Sequence, residues 1–227
     1  MTNYRRHYAT HGLYFFTVAI FDRTSDLLVK NIALLNESIQ REKINSPFAI
    51  KAIVILPDHL HTIWQLPEKD RDYSSRWRNI KGYFSRGLPK AEVCNKSRIK
   101  KNERAIWQRR FWEHTIRDEK DFQRHFDYVH YNPVKHGLVQ RVCDWPYSTF
   151  HRFERSGIYP IDWAGGIEDK RRGLTDGRHA EFTYEWWVTR VRLPILPGNA
   201  AVYGNTQATL ATCTRAHEAK NNDYTRA

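Results

Sequence analysis

Apolar and polar positions predict the first elements of the fold. Residues 13–21 are apolar, aromatic and β-branched, which is typical of a buried strand. A helix is expected to begin at Ser25 or Asp26, because apolar residues recur at helical spacing from Leu28 to Ile39. One face of this helix should therefore pack on a sheet.

Two more strands are expected directly after this helix. Residues 48–56 and residues 59–66 are both strongly apolar, and Pro57 and Asp58 form a turn signal between them. The close spacing of the two strands predicts an antiparallel hairpin.

The next segment predicts a second helix and a further strand region. Ser74 or Ser75 should cap the helix, which should run to about Gly87. A polar connection rich in lysine and arginine follows, and residues 106–116 then predict one strand or a pair of short strands.

A third helix should follow the Asp118 cap, running from Glu119 to about Asn132. We expect it to stop there, because Pro133 pushes the residue before it out of the helical region. The complete order, β-α-β-β-α-(β)-α, predicts an α+β protein in which helices cover one face of a mainly antiparallel sheet.

Composition limits the class of protein. Aromatic residues are 14% of the chain, a content that excludes a wholly disordered protein. We expect one domain at residues 1–166 and a polar, largely disordered tail at residues 167–227. The sequence contains no apolar run of membrane-spanning length, no signal peptide, and only three widely spaced cysteines. These features predict a cytoplasmic protein with no membrane partner.

Positive charge is concentrated in one segment of the chain. The formal net charge is +12, and residues 76–110 hold 12 basic and only 2 acidic side chains. Such a segment is either a solvated helix face and loop or a surface that neutralises phosphates and stacks on unpaired bases. The excess favours nucleic-acid binding, through Arg76, Arg78, Lys81, Arg98, Lys100, Lys101, Arg104, Arg109 and Arg110.

Two residue pairs are candidates for chemistry. His59 and His61 are two apart on a predicted strand, so their side chains point to the same face, roughly 7 Å apart at the backbone. They could bind one divalent cation, or they could be polar residues on a solvated strand. Tyr128 and Asn132 are four apart on the third helix and share a face, as a nucleophile with an oxygen ligand or as packing residues. Tyr131 is the competing tyrosine.

These pairs lie within a longer pattern that resembles a known family. The segments Pro57-Asp58-His59-Leu60-His61 and Tyr128-Val129-His130-Tyr131-Asn132-Pro133 resemble the REP-associated tyrosine transposases, of the single-tyrosine HUH superfamily. Further blocks occur in the expected order at residues 4–6, 14–18, 75–81, 106–114 and 144–152. The residues after 166 do not resemble the family.

The resemblance implies a ferredoxin-like sheet of the HUH-endonuclease type, with the histidines on a central strand. It implies that His59 and His61 are metal ligands, that Tyr128 is the nucleophile, and that Asn132 is the third ligand. Superfamily members often have glutamine in that third position. Two imidazoles and an oxygen suit Mn²⁺, and Mg²⁺ is accepted with additional oxygen ligands.

The implied reaction is cleavage and transfer of a DNA strand through a 5′-phosphotyrosine. The implied partner is single-stranded hairpin DNA of the REP type, bound by a monomer or a homodimer. Two other functions remain open at this point. One is a domesticated nucleic-acid-binding protein that does not cleave, and the other is a metal-dependent RNA nuclease that leaves no tyrosine link.

Overall fold

The computed structural model describes residues 12–163. The chain divides into two compact units, Met1–Arg117 and Asp118–Ala227. The predicted domain boundary at residue 166, the tail at 167–227 and the sequence block at 4–6 lie outside the described residues. No helix within residues 12–163 is both long enough and apolar enough to cross a membrane.

The first unit contains a four-stranded antiparallel sheet with the order β2-β3-β1-β4. The predicted α+β class and the predicted hairpin are therefore confirmed. The strands are β1 Leu13–Ala19, β2 Ala49–Ile55, β3 His59–Gln65 and β4 Trp112–Thr115. The helices of this unit are α1 Leu27–Lys30, α2 Ile32–Asn45, α3 Tyr73–Gly87 and α4 Lys96–Lys100.

Helix α3 covers one face of the sheet with aromatic side chains. Trp77 stacks on Trp64 of β3 with ring centroids 4.2 Å apart, and it meets Phe16 of β1 edge-on at 5.6 Å. The ring centroid of Tyr73 lies 4.9 Å from that of Tyr14, and the two ring planes are tilted by 53°. Because side chains alternate along a strand, β3 presents its histidines on the opposite face.

The first two helices differ from the sequence prediction at their ends. The helix expected to begin at residue 25 or 26 is interrupted at Asn31, whose side-chain amide donates to the Leu27 carbonyl at 2.9 Å. Asparagine competes with the backbone in this way and weakens a continuous helix. Helix α3 is capped by Asp72 and not by Ser74 or Ser75, since the Asp72 carboxylate accepts the Ser75 N–H at 3.0 Å.

The connection that follows α3 is more ordered than its composition indicates. Helix α4 lies inside it, capped by Asn95, whose side-chain oxygen accepts the Arg98 N–H at 3.0 Å. The strand region at 106–116 consists of two short pieces, which is one of the two forms that the sequence predicted. Trp107 makes an isolated antiparallel bridge with Ile20, and β4 begins only at residue 112.

The second unit begins with helix α5, Glu119–Lys135, capped by Asp118 as predicted. The expected stop at Pro133 is wrong, because the helix continues to Lys135 with Pro133 inside it. It ends in a motif that satisfies its last carbonyls: the Gly137 N–H donates to the Val134 carbonyl and the Leu138 N–H to the Pro133 carbonyl, both at 2.9 Å. Gly137 takes a left-handed φ of 68°, which glycine adopts without a steric cost.

The core of the second unit is aromatic and surrounds a buried histidine. His130 is fully buried and lies against the rings of Phe126, Phe153 and Tyr159, at centroid distances between 4.6 and 5.5 Å. Its Nε2 is 2.9 Å from the Thr149 hydroxyl. A 3₁₀ turn, Val142–Asp144, precedes a short helix α6, Phe150–Arg155.

Acid should therefore destabilise the protein through His130. Burial lowers its pKa from 6.5 to about 3, so the folded state keeps it neutral while the unfolded state binds a proton below about pH 6.5. Because the unfolded chain binds more protons, this residue should cost roughly 1.4 kcal/mol of stability between pH 7.5 and pH 5.5.

Urea unfolding at the two pH values, with the wild type and His130→Gln, measures this contribution. The Gln variant should be less stable at pH 7.5, because it fills the aromatic site less well, but its stability should fall less on acidification. Equal losses of stability in the two proteins would show that His130 is not the acid-sensitive group.

Candidate functional site

His59 and His61 lie together on β3, as predicted from their spacing. They are 4% and 3% exposed, and their rings are perpendicular with centroids 4.9 Å apart. Two buried imidazoles on one face do not fit the alternative of polar residues on a solvated strand. Phe15 of β1 stacks on the His61 ring at 5.6 Å and fixes its plane.

Each imidazole is held at its Nδ1 atom by a neighbouring oxygen. The Asp58 carboxylate lies 2.6 Å from His59 Nδ1, and the Thr17 hydroxyl lies 2.8 Å from His61 Nδ1. Thr17 is directly opposite His61 across the β1–β3 ladder. Arg23 orients Asp58 through an ion pair of 2.7 Å, and its second nitrogen is 3.3 Å from His59 Nδ1.

With Nδ1 engaged in this way, Nε2 is the ring atom that each imidazole could offer to a metal ion. A carboxylate only accepts hydrogen bonds, so the neutral form of His59 carries its proton on Nδ1 and keeps its lone pair on Nε2. The Thr17 hydroxyl can accept a hydrogen bond from His61 Nδ1–H in the same manner. Metal-binding histidines are oriented in this way by carboxylates and other oxygens. Asp58 and Thr17 were not singled out from the sequence.

Tyr128 and Asn132 occupy successive turns of α5. Tyr128 is partly exposed, and its phenol oxygen accepts a hydrogen bond from Lys135 Nζ at 3.3 Å. The same ammonium group lies 4.5 Å from the centre of the phenol ring. A positive charge at this place stabilises negative charge as it develops on the phenol oxygen. Tyr131, the competing tyrosine, is only 8% exposed.

Asn132 is fully buried and is held in one orientation. Its side-chain nitrogen donates to the Tyr128 carbonyl at 3.2 Å, while its side-chain oxygen has no hydrogen-bond partner among the described residues. An unsatisfied buried oxygen costs about 1–3 kcal/mol. An amide oxygen of this kind is a ligand that Mg²⁺ and Mn²⁺ accept.

Helix α5 also carries an acidic residue that sequence reasoning missed. Asp121 is 4% exposed, and its carboxylate lies 3.2 Å from His125 and 3.1 Å from Arg124 along the same helix. The spacing of three and four residues is visible in the sequence, but the burial of the carboxylate is not. His125 itself is partly buried.

The basic segment at 76–110 lines an open groove of about 1060 Å³ in the first unit. Among the nine basic residues expected to bind nucleic acid, Arg78, Lys100, Lys101, Arg109 and Arg110 are exposed. Lys81 lies in the wall of the groove and donates to the Gln108 carbonyl at 2.8 Å. Burial is the larger cause and the nearby charge of Arg98 the smaller one, and together they lower the pKa of Lys81 to about 8.

Two basic residues of the set carry their charge inside the protein. Arg76 is 4% exposed and binds the carbonyls of Ser46 and Pro47 and the carboxylate of Asp70. Arg98 is 5% exposed and donates to the carbonyl of Trp107 at 3.2 Å. Guanidinium groups with these partners hold segments of the chain together.

Arg104 has a similar structural position. Its guanidinium binds the Glu92 carboxylate and the carbonyls of Leu88 and Pro89, at 2.8 and 2.6 Å for the carbonyls. The hydrogen bond from Arg104 lowers the pKa of Glu92 to about 2. Arg104 therefore holds the first residues of the connection after α3, from Leu88 to Glu92, against its last residues.

Comparison with known proteins shows close relatives. A REP-associated tyrosine transposase of Escherichia coli is 48% identical over 173 residues, which are 76% of this chain and 97% of that protein. A Haemophilus influenzae protein with the same family name is 49% identical over 174 residues, 76% of this chain and 99% of that protein. No protein-family model matches the chain.

A solved structure is also similar. It is a REP-associated tyrosine transposase bound to a REP hairpin, with a TM-score of 0.62 and 48% identity, over 72% of this chain and 92% of that one. The fold and the relatives define a transposase of the tyrosine class. Within that class, the chain belongs to the REP-associated tyrosine transposases.

Proposed function

We propose that this protein cleaves and rejoins single-stranded DNA at hairpins of the REP type, with Tyr128 as the nucleophile. The observation that carries the proposal is the buried His59–His61 pair, whose Nδ1 atoms are both held by oxygens. Membership of the family supports an enzyme that cleaves over a protein that only binds nucleic acid.

A divalent cation, Mg²⁺ or Mn²⁺, would be held by His59 Nε2, His61 Nε2 and Asn132 Oδ1. When bound, it would polarise a non-bridging oxygen of the scissile phosphate. The support on the protein side is the fixed orientation of both imidazoles and the buried, unsatisfied oxygen of Asn132.

The chemistry that we assign to Tyr128 is an exchange of phosphodiester bonds. Its phenol oxygen attacks the phosphorus, a tyrosine–phosphate bond forms, and the bond to the 3′-oxygen of the neighbouring nucleotide breaks. The phenol loses its proton and the leaving oxygen gains one, which gives a free 3′-OH and a 5′-phosphotyrosine. A second 3′-OH can reverse the step, so strands are joined without another energy source.

Lys135 assists this step by its position. Its ammonium group donates to the phenol oxygen of Tyr128 and so favours the charge that attack requires. The hydrogen bond also orients the phenol ring, because the same ammonium lies over it.

A denaturing gel with end-labelled hairpin DNA tests the proposal. With Mn²⁺ present, a 3′ label should move to a protein-sized band, while a 5′ label should appear in a short fragment. Intact DNA in both cases would indicate the non-cleaving alternative. Short fragments without a protein-sized band would indicate a hydrolytic nuclease.

The exposed basic residues are proposed as the DNA-binding surface. Lys100 and Lys101 lie at the end of α4, are exposed, and belong to the segment that holds most of the net charge. Arg76, Arg98 and Arg104 are already engaged inside the protein, so their replacement would disturb the fold as well as any contact with DNA.

Charge reversal at these two lysines should weaken DNA binding. Lys100→Glu with Lys101→Glu should lower affinity for the hairpin, and the slope of log K against log[salt] should shrink by roughly 0.7–0.9 for each phosphate that the protein no longer neutralises. Fluorescence anisotropy between 50 and 200 mM salt measures both quantities.

The matched control for this double variant is Lys30→Glu, which reverses an exposed lysine outside the basic segment. It should bind like the wild type. If the double variant keeps both the affinity and the salt slope of the wild type, the segment is a solvated loop and not a DNA-binding surface.

A further inference from the structure

Trp112 is an exposed aromatic residue on the edge strand of the sheet. It is 53% exposed, whereas the other tryptophans among residues 12–163 are buried or half-buried. Within the described part of the chain, strand β4 pairs only with β1, so the other edge of β4 has no partner strand. A tryptophan that is half exposed keeps a large apolar ring face in water.

The plane of the indole ring is fixed by its neighbours. His114, two residues further along β4, lies parallel to it at an interplanar angle of 6° and a centroid distance of 5.9 Å. Phe15 of β1 meets it edge-on at 5.6 Å. Trp112 is therefore a preorganised flat surface and not a loosely held side chain.

Trp112 lies in the same row of the sheet as one of the proposed metal ligands. Thr17 of β1 is the direct partner of His61 on one side and of Trp112 on the other, so these three side chains share a face. Phe15 contacts both the His61 ring and the indole, each with a centroid distance of 5.6 Å. The indole centre is thus no more than about 11 Å from the imidazole centre, which is roughly the length of three stacked nucleotides at 3.4 Å each.

The surroundings of Trp112 favour a nucleic-acid base over a protein surface. Arg109 and Arg110, just before it, are exposed, Arg109 in an ion pair with Glu103 at 2.7 Å, and the basic segment 76–110 ends two residues away. A protein interface needs an apolar area much larger than one ring. One flat aromatic face beside exposed cations is the combination by which proteins bind unpaired bases and their phosphates.

We propose that Trp112 is a stacking platform for an unpaired base that flanks the hairpin, close to the scissile phosphate. Stacking there would place the strand over the His61 side of the sheet and would set which nucleotide lies at the metal. The proposal rests on the proposed function, because it needs single-stranded DNA as the substrate. The proposal adds a base-binding residue whose contact with DNA requires no metal.

Binding experiments with a Trp112→Ala variant test this inference. All proteins carry Tyr128→Phe so that no DNA is cleaved, and no metal is added. Affinity is measured for one hairpin with an unpaired flank, for the same hairpin without the flank, and for flanked hairpins that carry a single abasic site. Loss of one stacked base should weaken binding about 5- to 100-fold.

Trp112→Ala should show this loss with the flanked hairpin and bind the hairpin without the flank normally. The salt slope should stay unchanged, because stacking neutralises no phosphate. One abasic position should weaken the binding of the parent protein and have no effect on Trp112→Ala. Trp112→Phe should retain part of the affinity, and Ile44→Ala, which shortens another exposed apolar residue, should retain all of it.

Equal affinity of Trp112→Ala and its parent for the flanked hairpin would overturn the inference while leaving the proposed function intact. Equal losses with both hairpins, or a Phe variant as weak as the Ala variant, would also overturn it, since they indicate a purely structural role. Failure of the parent protein to bind any hairpin would instead contradict the proposed function.

Discussion

Replacing Tyr128 with phenylalanine should reduce DNA cleavage by roughly 10³-fold or more and should remove the covalent protein–DNA adduct. The phenyl ring keeps the volume and the contact with Lys135 but lacks the oxygen that attacks phosphorus. Hairpin binding should be unchanged, because the phenol is not one of the exposed cations that neutralise phosphates. A denaturing gel measures the adduct, and anisotropy measures the binding.

Tyr131→Phe is the matched control for this variant. It removes the same atom from the same helix at a position that is buried. It should keep its cleavage activity and its adduct. An adduct that survives Tyr128→Phe and is lost in Tyr131→Phe would show that the nucleophile has been assigned to the wrong tyrosine.

His61→Ala should abolish metal-dependent cleavage and lower Mn²⁺ affinity by more than about 100-fold. Removal of an outer partner of a ligand costs about 10- to 100-fold, and removal of the ligand itself should cost more. Asp58→Asn should therefore show the smaller effect, because it weakens the acceptor that fixes His59 Nδ1 but leaves both imidazoles in place. Isothermal titration with Mn²⁺ measures both variants.

Thr62→Val separates metal binding from stability in these experiments. Thr62 is buried on the opposite face of the same strand, and its hydroxyl donates to the Ala52 carbonyl at 2.9 Å. The variant should unfold more easily by about 1 kcal/mol while keeping its Mn²⁺ affinity. If His61→Ala binds Mn²⁺ as tightly as Thr62→Val does, His61 is not a ligand.

The long apolar strands could be predicted from sequence because their signal is local. Residues 13–21 and 48–56 are almost continuous apolar runs, and such runs are buried whichever partners they find. The same holds for the histidine pair, since the two-residue repeat of a strand places His59 and His61 on one face.

Other features depend on contacts that a single segment does not contain. Thr17 binds His61 only because the register of β1 and β3 places them opposite each other, 44 residues apart in the chain. Helix α5 continues through Pro133 because the residues around it are buried and a glycine two residues after the helix closes its end. Neither the register nor the burial is visible in the local pattern.

The basic segment shows the limit of counting charges. Its excess predicted a surface, yet Arg76, Arg98 and Arg104 bind carbonyl oxygens and carboxylates within the protein. Their sequence neighbours Arg78 and Lys100 are exposed. Charge per segment therefore located a candidate DNA-binding region, while the role of each side chain required its position in three dimensions.

The attachment site of the DNA is the most direct measurement of the central claim. Wild-type protein incubated with hairpin single-stranded DNA and Mn²⁺ is digested with nuclease and trypsin, and the remaining nucleotide is located by tandem mass spectrometry. Cleavage after Arg124 and Lys135 releases one peptide that contains both Tyr128 and Tyr131, so fragmentation within it distinguishes them. The account predicts a 5′-linked nucleotide on Tyr128. A nucleotide on Tyr131, or cleaved DNA with no modified tyrosine, would contradict it.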